Sequence, residues 1–141
     1  MREFLREVLI EADAPRIWDV MARMDEWPQR ISSFRSIVAL DPAPVGVGSR
    51  FRVEQPRLPP SVMTVTAWGP GRGFAWASTT PLLWAVGEHW IASRGNTSVV
   101  TLRLRFDGLL SPLAGSLMRS LVERYMALEA AGLKSWAEEA Q

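Results

Sequence analysis

Two residues with acid–base side chains, Glu88 and His89, stand side by side in the strand-like run Leu83 to Ile91. Neighbours in a strand point to opposite faces, so only one of the two can enter an interior. A hairpin that turns around Gly95 with Ser93 opposite Thr97 pairs Trp90 with Val100, Glu88 with Leu102, Val86 with Leu104 and Trp84 with Phe106. This register, the expected one, sets three large apolar side chains on the inner face and carries Glu88 in with them. A slip of one residue instead brings His89 inward and expels both tryptophans.

In an apolar pocket the Glu88 carboxylate would hold its proton more tightly unless a cation or donor paired with it. It would then serve as a proton donor or polar anchor; the plainer reading places it near a strand end in water or beside an arginine. His89 shows no aspartate or serine partner in the sequence and is read as a surface residue. As the single histidine it also rules out a multi-histidine metal cluster, and the absence of cysteine removes disulfides, thiolate metal sites and thiol nucleophiles. Neither a metal nor a cofactor is expected. Tyr125 carries the one phenol. Its hydroxyl needs a partner in the interior, either a ligand carbonyl, Glu88 or a backbone carbonyl. The candidate catalytic pair is therefore Glu88 as acid–base and Tyr125 as a carbonyl-orienting donor. Phe51, Trp76, Trp84, Trp90, Leu102, Leu104, Met118 and Leu121 are the candidate walls of a ligand pocket, with a filled core as the alternative for the aromatics.

These side chains need elements to hold them. The run from Pro112 to Trp136 reads as one long helix whose apolar residues fill an arc of roughly 220° at about 3.6 residues per turn. A surface helix needs only about 100°, so most of the circumference must be wrapped. The part around Met118, Leu121 and Tyr125 should face whatever space remains. Upstream, Phe4 to Glu11 reads as a strand. Asp13-Ala14-Pro15 opens a helix through Ile17, Trp18, Val20 and Met21, and Asp25 to Gln29 forms a second short helix or turn. Six further strands follow, over Arg35–Leu40, Arg50–Gln55, Val62–Trp68, Phe74–Thr79, Leu83–Ile91 and Thr97–Asp107, separated by proline- and glycine-rich turns. The last alternates most cleanly: Val100, Leu102, Leu104 and Phe106 face one way, Arg103 and Arg105 the other. Trp18 and Trp27 are expected to lock the short helices onto the sheet, and the Pro56–Ser61 loop is either the rim of a cavity mouth or a stiff connection without function. The fold class is α+β, a curved antiparallel sheet of about seven strands around a C-terminal helix, in one domain.

Certain marks occur in order along nearly the whole chain: Ile10-x-Ala12-x-x-Pro15-x-Ile17-Trp18, Trp27-Pro28, Val45-Gly46-x-Gly48, and Pro70-Gly71-Arg72-x-Phe74-x-Trp76. Gly95, Thr97, Val99 and Thr101 come next, then Gly108 before the long helix. In these the chain resembles the START-like polyketide cyclase/dehydrase and lipid-transport superfamily. The resemblance implies the helix-grip fold, a sheet gripping the C-terminal helix around a cavity for an apolar small molecule. Its members include lipid carriers, receptors, aromatic cyclases and chaperone activators, so it leaves the activity open.

Composition narrows the partners. With 16 basic and 15 acidic residues the net charge is +1, which gives no reason to expect nucleic acid. No apolar run reaches the roughly 20 residues of a membrane span, so stable membrane insertion is not expected. The N-terminus lacks a signal-peptide core, and a cytoplasmic monomer or homodimer is the expectation. The function expected is binding of a hydrophobic or amphipathic small molecule. The alternatives are a polyketide cyclase/aromatase or dehydratase, and a regulator of a partner protein.

Overall fold

The computed structural model describes residues 2–139. The chain runs β1 (Arg2–Ile10), α1 (Ala14–Met21), a short 3-10 helix (Met24–Gln29), β2 (Ser36–Ala39), β3 (Arg50–Glu54), β4 (Ser61–Gly69), β5 (Gly73–Thr79), β6 (Trp84–Arg94), β7 (Thr97–Asp107), α2 (Ser111–Leu117) and α3 (Arg119–Ala137). The seven strands form one antiparallel sheet in the order β1-β7-β6-β5-β4-β3-β2. Strands β2 to β7 are therefore a meander, and β1 closes on the last of them. The fold class is the one expected, and the strand ends agree to within a few residues.

Local chemistry sets the element ends. The Asp13 carboxylate accepts the Arg16 N–H at 3.0 Å and caps α1, whose second residue is Pro15. Trp18 meets Trp68 edge-on with centroids 4.8 Å apart. Trp27 is fully buried and donates its indole N–H to the Met21 carbonyl at 3.2 Å. Both tryptophans thus hold the short helices to the sheet.

The β6–β7 hairpin departs from the expected register by one residue. Arg94 pairs with Thr97 and Ser93 with Ser98, leaving Gly95-Asn96 as a two-residue turn with Gly95 at φ +75°. Two-residue turns of this kind match the natural twist of paired strands, and glycine supplies the positive φ they require. The expectation assumed a three-residue turn. The observed pairs are His89 with Leu102, Glu88 with Arg103, Trp90 with Thr101 and Trp84 with Asp107. The one-residue slip brings His89 inward and turns Trp84, Glu88 and Trp90 to the outer face.

The expected long helix is two helices. The backbone leaves helical geometry at Met118 (φ −101°, ψ 6°). Gly115 and Ser116 are weak helix formers in the preceding turn. The Arg2 side chain lies directly under Gly115, close enough that a Cβ there would meet Arg2 Cγ at 2.5 Å. This seats α2 on β1 and β7, and α3 then takes its own course along β1. The apolar arc is wrapped only along α3. In α2, Leu113 and Leu117 are 56% and 77% exposed, against the expectation that this face is covered. Along α3, Val122, Met126, Ala130 and Leu133 are buried against the sheet. Gly132 lets the helix pass within contact of Ile31 and the Arg30 carbonyl, where any Cβ would approach to 2.7–2.8 Å.

The far end of α3 is tied to β1. Lys134 Nζ donates to the Leu9 carbonyl at 3.0 Å, and Glu138 accepts from the Glu11 N–H at 2.7 Å and from Lys134 at 2.6 Å. Lys134, and after it the Glu11 N–H, hold the Glu138 carboxyl below its ordinary range. A carboxyl held low adds stability above the ordinary carboxylate range and loses it as pH falls through the lowered value. Glu138→Gln is accordingly expected to lower Tm at pH 7, and its gap from the native chain should close as the pH is taken below that range. Thermal melts across pH check this; a gap that is the same at every pH would contradict the ion pair as its source.

Candidate functional site

A cavity of about 510 Å³ lies between the inner face of the sheet and α3. Its floor is an aromatic cluster. The Trp27 ring packs against Phe34 at 5.4 Å, Trp76 at 5.8 Å and His89 at 5.4 Å, and His89 stacks flat on Phe74 at 4.3 Å and 8°. Gly87 makes room for this arrangement. A Cβ at that position would stand 3.2 Å from Trp76 Nε1 and 3.7 Å from the His89 ring. The walls are Val53 and Met63 on β3 and β4, Leu102, Leu104 and Phe106 on β7, and Met118, Leu121, Val122 and Met126 on the helical side. Gln55, Arg57, Leu58 and Pro59 of the β3–β4 loop complete the boundary with Ser61, the first of the two readings the sequence left open for that loop.

One polar pair stands in this apolar setting. His89 Nε2 lies 2.8 Å from Glu129 Oε2, with the two side chains only 5% and 14% exposed. His89 Nδ1 is buried with no hydrogen-bond partner. Desolvated pairs of this kind are held where each partner satisfies the other, and removing one leaves a costly orphan. Tyr125, one turn before Glu129 on α3, donates its hydroxyl to the Pro56 carbonyl and so ties the helix to the β3–β4 loop. Gln55 Nε2 anchors the same loop on its other side, to the Ser33 carbonyl at 3.2 Å.

Of the residues expected at the site, Trp76, Glu88, Leu102, Leu104, Met118, Leu121 and Tyr125 border the cavity. Glu88 does so from a strand position that aims its carboxylate the other way. It lies 3.1 Å from Arg105 Nε and accepts the Trp90 indole N–H at 3.0 Å. Trp90 is therefore an outer-face residue, and Trp84 is 54% exposed. Both follow from the hairpin register. Phe51 is buried behind Trp76, with ring centroids 5.9 Å apart, and does not reach the cavity. The expected surface position of His89 is likewise overturned. Arg103 and Arg105 lie on the outer face as expected, paired with Glu3 at 3.2 Å and with Glu88.

Glu129 was missed, though its signal was legible. It lies four residues from both Tyr125 and Leu133, in the middle of the apolar arc of α3, where a carboxylate requires a buried partner. Glu129→Leu is expected to destabilise the fold by about 1–3 kcal/mol by leaving the buried His89 imidazole without its polar partner. The double change His89→Phe/Glu129→Leu should recover part of that loss, since a matched apolar pair leaves no orphan. Urea denaturation of the single and double variants checks both; strictly additive losses would contradict the pairing.

A profile described as polyketide cyclase/dehydrase and lipid transport matches residues 1–138. No curated protein matches the sequence. Among solved structures, the Zhui aromatase/cyclase from Streptomyces sp. R1128 superposes with a TM-score of 0.79 at 17% identity, covering 97% of this chain and 93% of its own. A START superfamily protein from Mycobacterium smegmatis gives 0.79 at 15% identity, with 96% and 97% covered. The di-domain ARO/CYC BexL from the BE-7585A biosynthetic pathway gives 0.75 at 17% identity. There the chain is covered to 98% but spans only 47% of BexL, about one of its two halves. At such identities these likenesses carry the fold and not an activity.

Proposed function

The chain belongs to the polyketide cyclase/dehydrase and lipid transport family, and from that premise we propose that it binds a small hydrophobic or amphipathic molecule between sheet and helix. The observation that carries this reading is the cavity itself. Its volume of about 510 Å³ falls inside the roughly 300–1,000 Å³ of small-molecule sites. Its walls are chiefly aliphatic and aromatic, with few polar groups to orient a ligand, which is the usual division of labour in such sites. Trp76 Nε1, Ser61, Ser78 and the Glu129 carboxylate are the groups to which an oxygen-bearing ligand can turn.

The His89–Glu129 pair favours a second reading, an enzyme of the cyclase/aromatase or dehydratase type. His89 Nε2 stands 2.8 Å from one carboxylate oxygen of Glu129, which leaves the other to act on a bound molecule. A carboxylate so placed can take a proton from a carbon beside a carbonyl and return it to a departing hydroxyl. The acid–base role proposed from the sequence for Glu88 passes to Glu129. Tyr125 is engaged with Pro56 and would orient a carbonyl only by giving up that bond.

Native mass spectrometry of the purified protein should reveal a bound or added polycyclic ketone, and titration should change the tryptophan emission through Trp76 in the wall. Leu121→Trp fills part of the cavity and is expected to weaken binding at least tenfold with the fold intact; equal affinity would place the ligand elsewhere. For the second reading, Glu129→Gln should abolish turnover of a poly-β-carbonyl chain while ligand affinity stays within a few-fold. Turnover that survives would remove Glu129 from the mechanism, and no turnover by the native chain would leave the protein a binder.

A further inference from the structure

Gly87 stands in the interior of β6, where glycine weakens a strand and offers no side chain to pack. Such a glycine marks a bulge, a positive φ or the close approach of another group. The pairing of β6 with β5 and with β7 runs through Gly87 without a shift, and its φ lies outside the left-handed region. No backbone crowds it either: the atoms that a Cβ would meet first are Trp76 Nε1 at 3.2 Å and Trp76 Cδ1 at 3.3 Å. These two atoms are the N–H edge of the indole. Glycine at 87 therefore leaves that edge bare toward the cavity, which both residues line. Trp27 gives its N–H to the Met21 carbonyl, and Trp90 gives its own to Glu88. The Trp76 N–H donates to no group among the described residues, although the residue is only 4% exposed. Trp27, Phe51 and Phe74 pack around its ring with centroids 5.4–5.9 Å away, so the donor is fixed in direction. The surroundings are one-sided. Along β6 the inward residues Ala85 and Gly87 form a low strip, with Ser78 and Trp76 opposite them on β5 and Phe106 and Leu104 on β7. A molecule lying on this strip meets a hydroxyl and an N–H along one edge and only hydrocarbon along the other.

We propose that Gly87 is the specificity-determining position of the cavity. By baring the Trp76 N–H it makes the site prefer molecules that carry a carbonyl or hydroxyl oxygen on the edge facing β5 over hydrocarbons of the same shape. This rests on the reading of the cavity as a small-molecule site and adds the polarity and orientation of its occupant. A hydrocarbon that covers the N–H strips it of water and leaves it unpaired, whereas an acceptor oxygen at the same place restores the bond. A methyl group at 87 would stand within contact of Nε1, in the path of that oxygen.

Fluorenone and fluorene serve as the test, since they share one tricyclic frame and differ by a carbonyl against a methylene. Equilibrium dialysis with the full chain is expected to give an affinity about threefold to tenfold higher for fluorenone, the worth of one neutral hydrogen bond. In Gly87→Ala and in Trp76→Phe that ratio should fall to one or below. A loss of room or of stability lowers both affinities together, so the ratio separates the donor from the space. On the native chain, the Trp76 indole N–H resonance, identified by its loss in Trp76→Phe, should move downfield with fluorenone and not with fluorene. Equal binding of the two ligands by the native chain would overturn the proposal and leave the binding reading standing; binding of neither would overturn both. A preference that persists in Gly87→Ala removes the role of position 87, and one that persists in Trp76→Phe removes the donor. Either result overturns the proposal.

Discussion

Two residues, Gly95 and Asn96, turn β6 back onto β7, and the character of the interior follows from that number. With Arg94 closed against Thr97, the inward positions of β6 are Ala85, Gly87, His89 and Ile91. Three of these four are small or polar. The alternative count would have placed two indoles on the same face, filling the space that is now open. The cavity is thus a property of the turn as much as of the curved sheet: a strand paired one step over would have given the same fold with a solid core.

The rest of the interior is divided accordingly. Trp27, Phe34, Phe74 and Trp76 pack edge to face into a dense floor, where aromatic pairs add about 0.5–1.5 kcal/mol each beyond their burial. His89 enters that floor as a fifth ring, stacked on Phe74. It reaches up from there to Glu129 on the helix, so the polar pair bridges the packed half of the interior and the hollow half. Such a bridge is costly to desolvate, and it gains its value in a low-dielectric setting where each group fixes the orientation of the other. Tyr125 and Gln55 apply the same logic at the boundary, holding the β3–β4 loop by backbone carbonyls.

Most of the architecture was legible because it depends on periodicity. The alternation Val100, Leu102, Leu104, Phe106 showed which face of β7 turns inward, and Asp13 with Pro15 showed where α1 begins. Trp84, Glu88 and Trp90 were misplaced for a different reason. Alternation identifies faces, but a hairpin register depends on one turn residue more or less, which the spacing of glycine and asparagine left open between two and three. The break at Met118 was hidden in the same way. Gly115 and Ser116 weaken a helix only slightly, and the decisive contact, Arg2 beneath Gly115, joins opposite ends of the chain. Glu129 escaped notice because a wheel drawn for apolar residues passes over the one charge at its centre.

The ties between α3 and β1 bear on a different matter, the fate of an open sheet. Unlike a closed barrel, this sheet ends in two edge strands whose outward backbone groups invite pairing with another chain. On the β1 side, Lys134 occupies the Leu9 carbonyl and Glu138 the Glu11 N–H, so the helix stands where an intruding strand would have to lie. On the other side β2 offers only four residues, Ser36–Ala39, before Asp41 and Pro42 interrupt any continuation. One edge is guarded by a helix and the other is too short to serve as a template, and in that way the molecule keeps its sheet from growing.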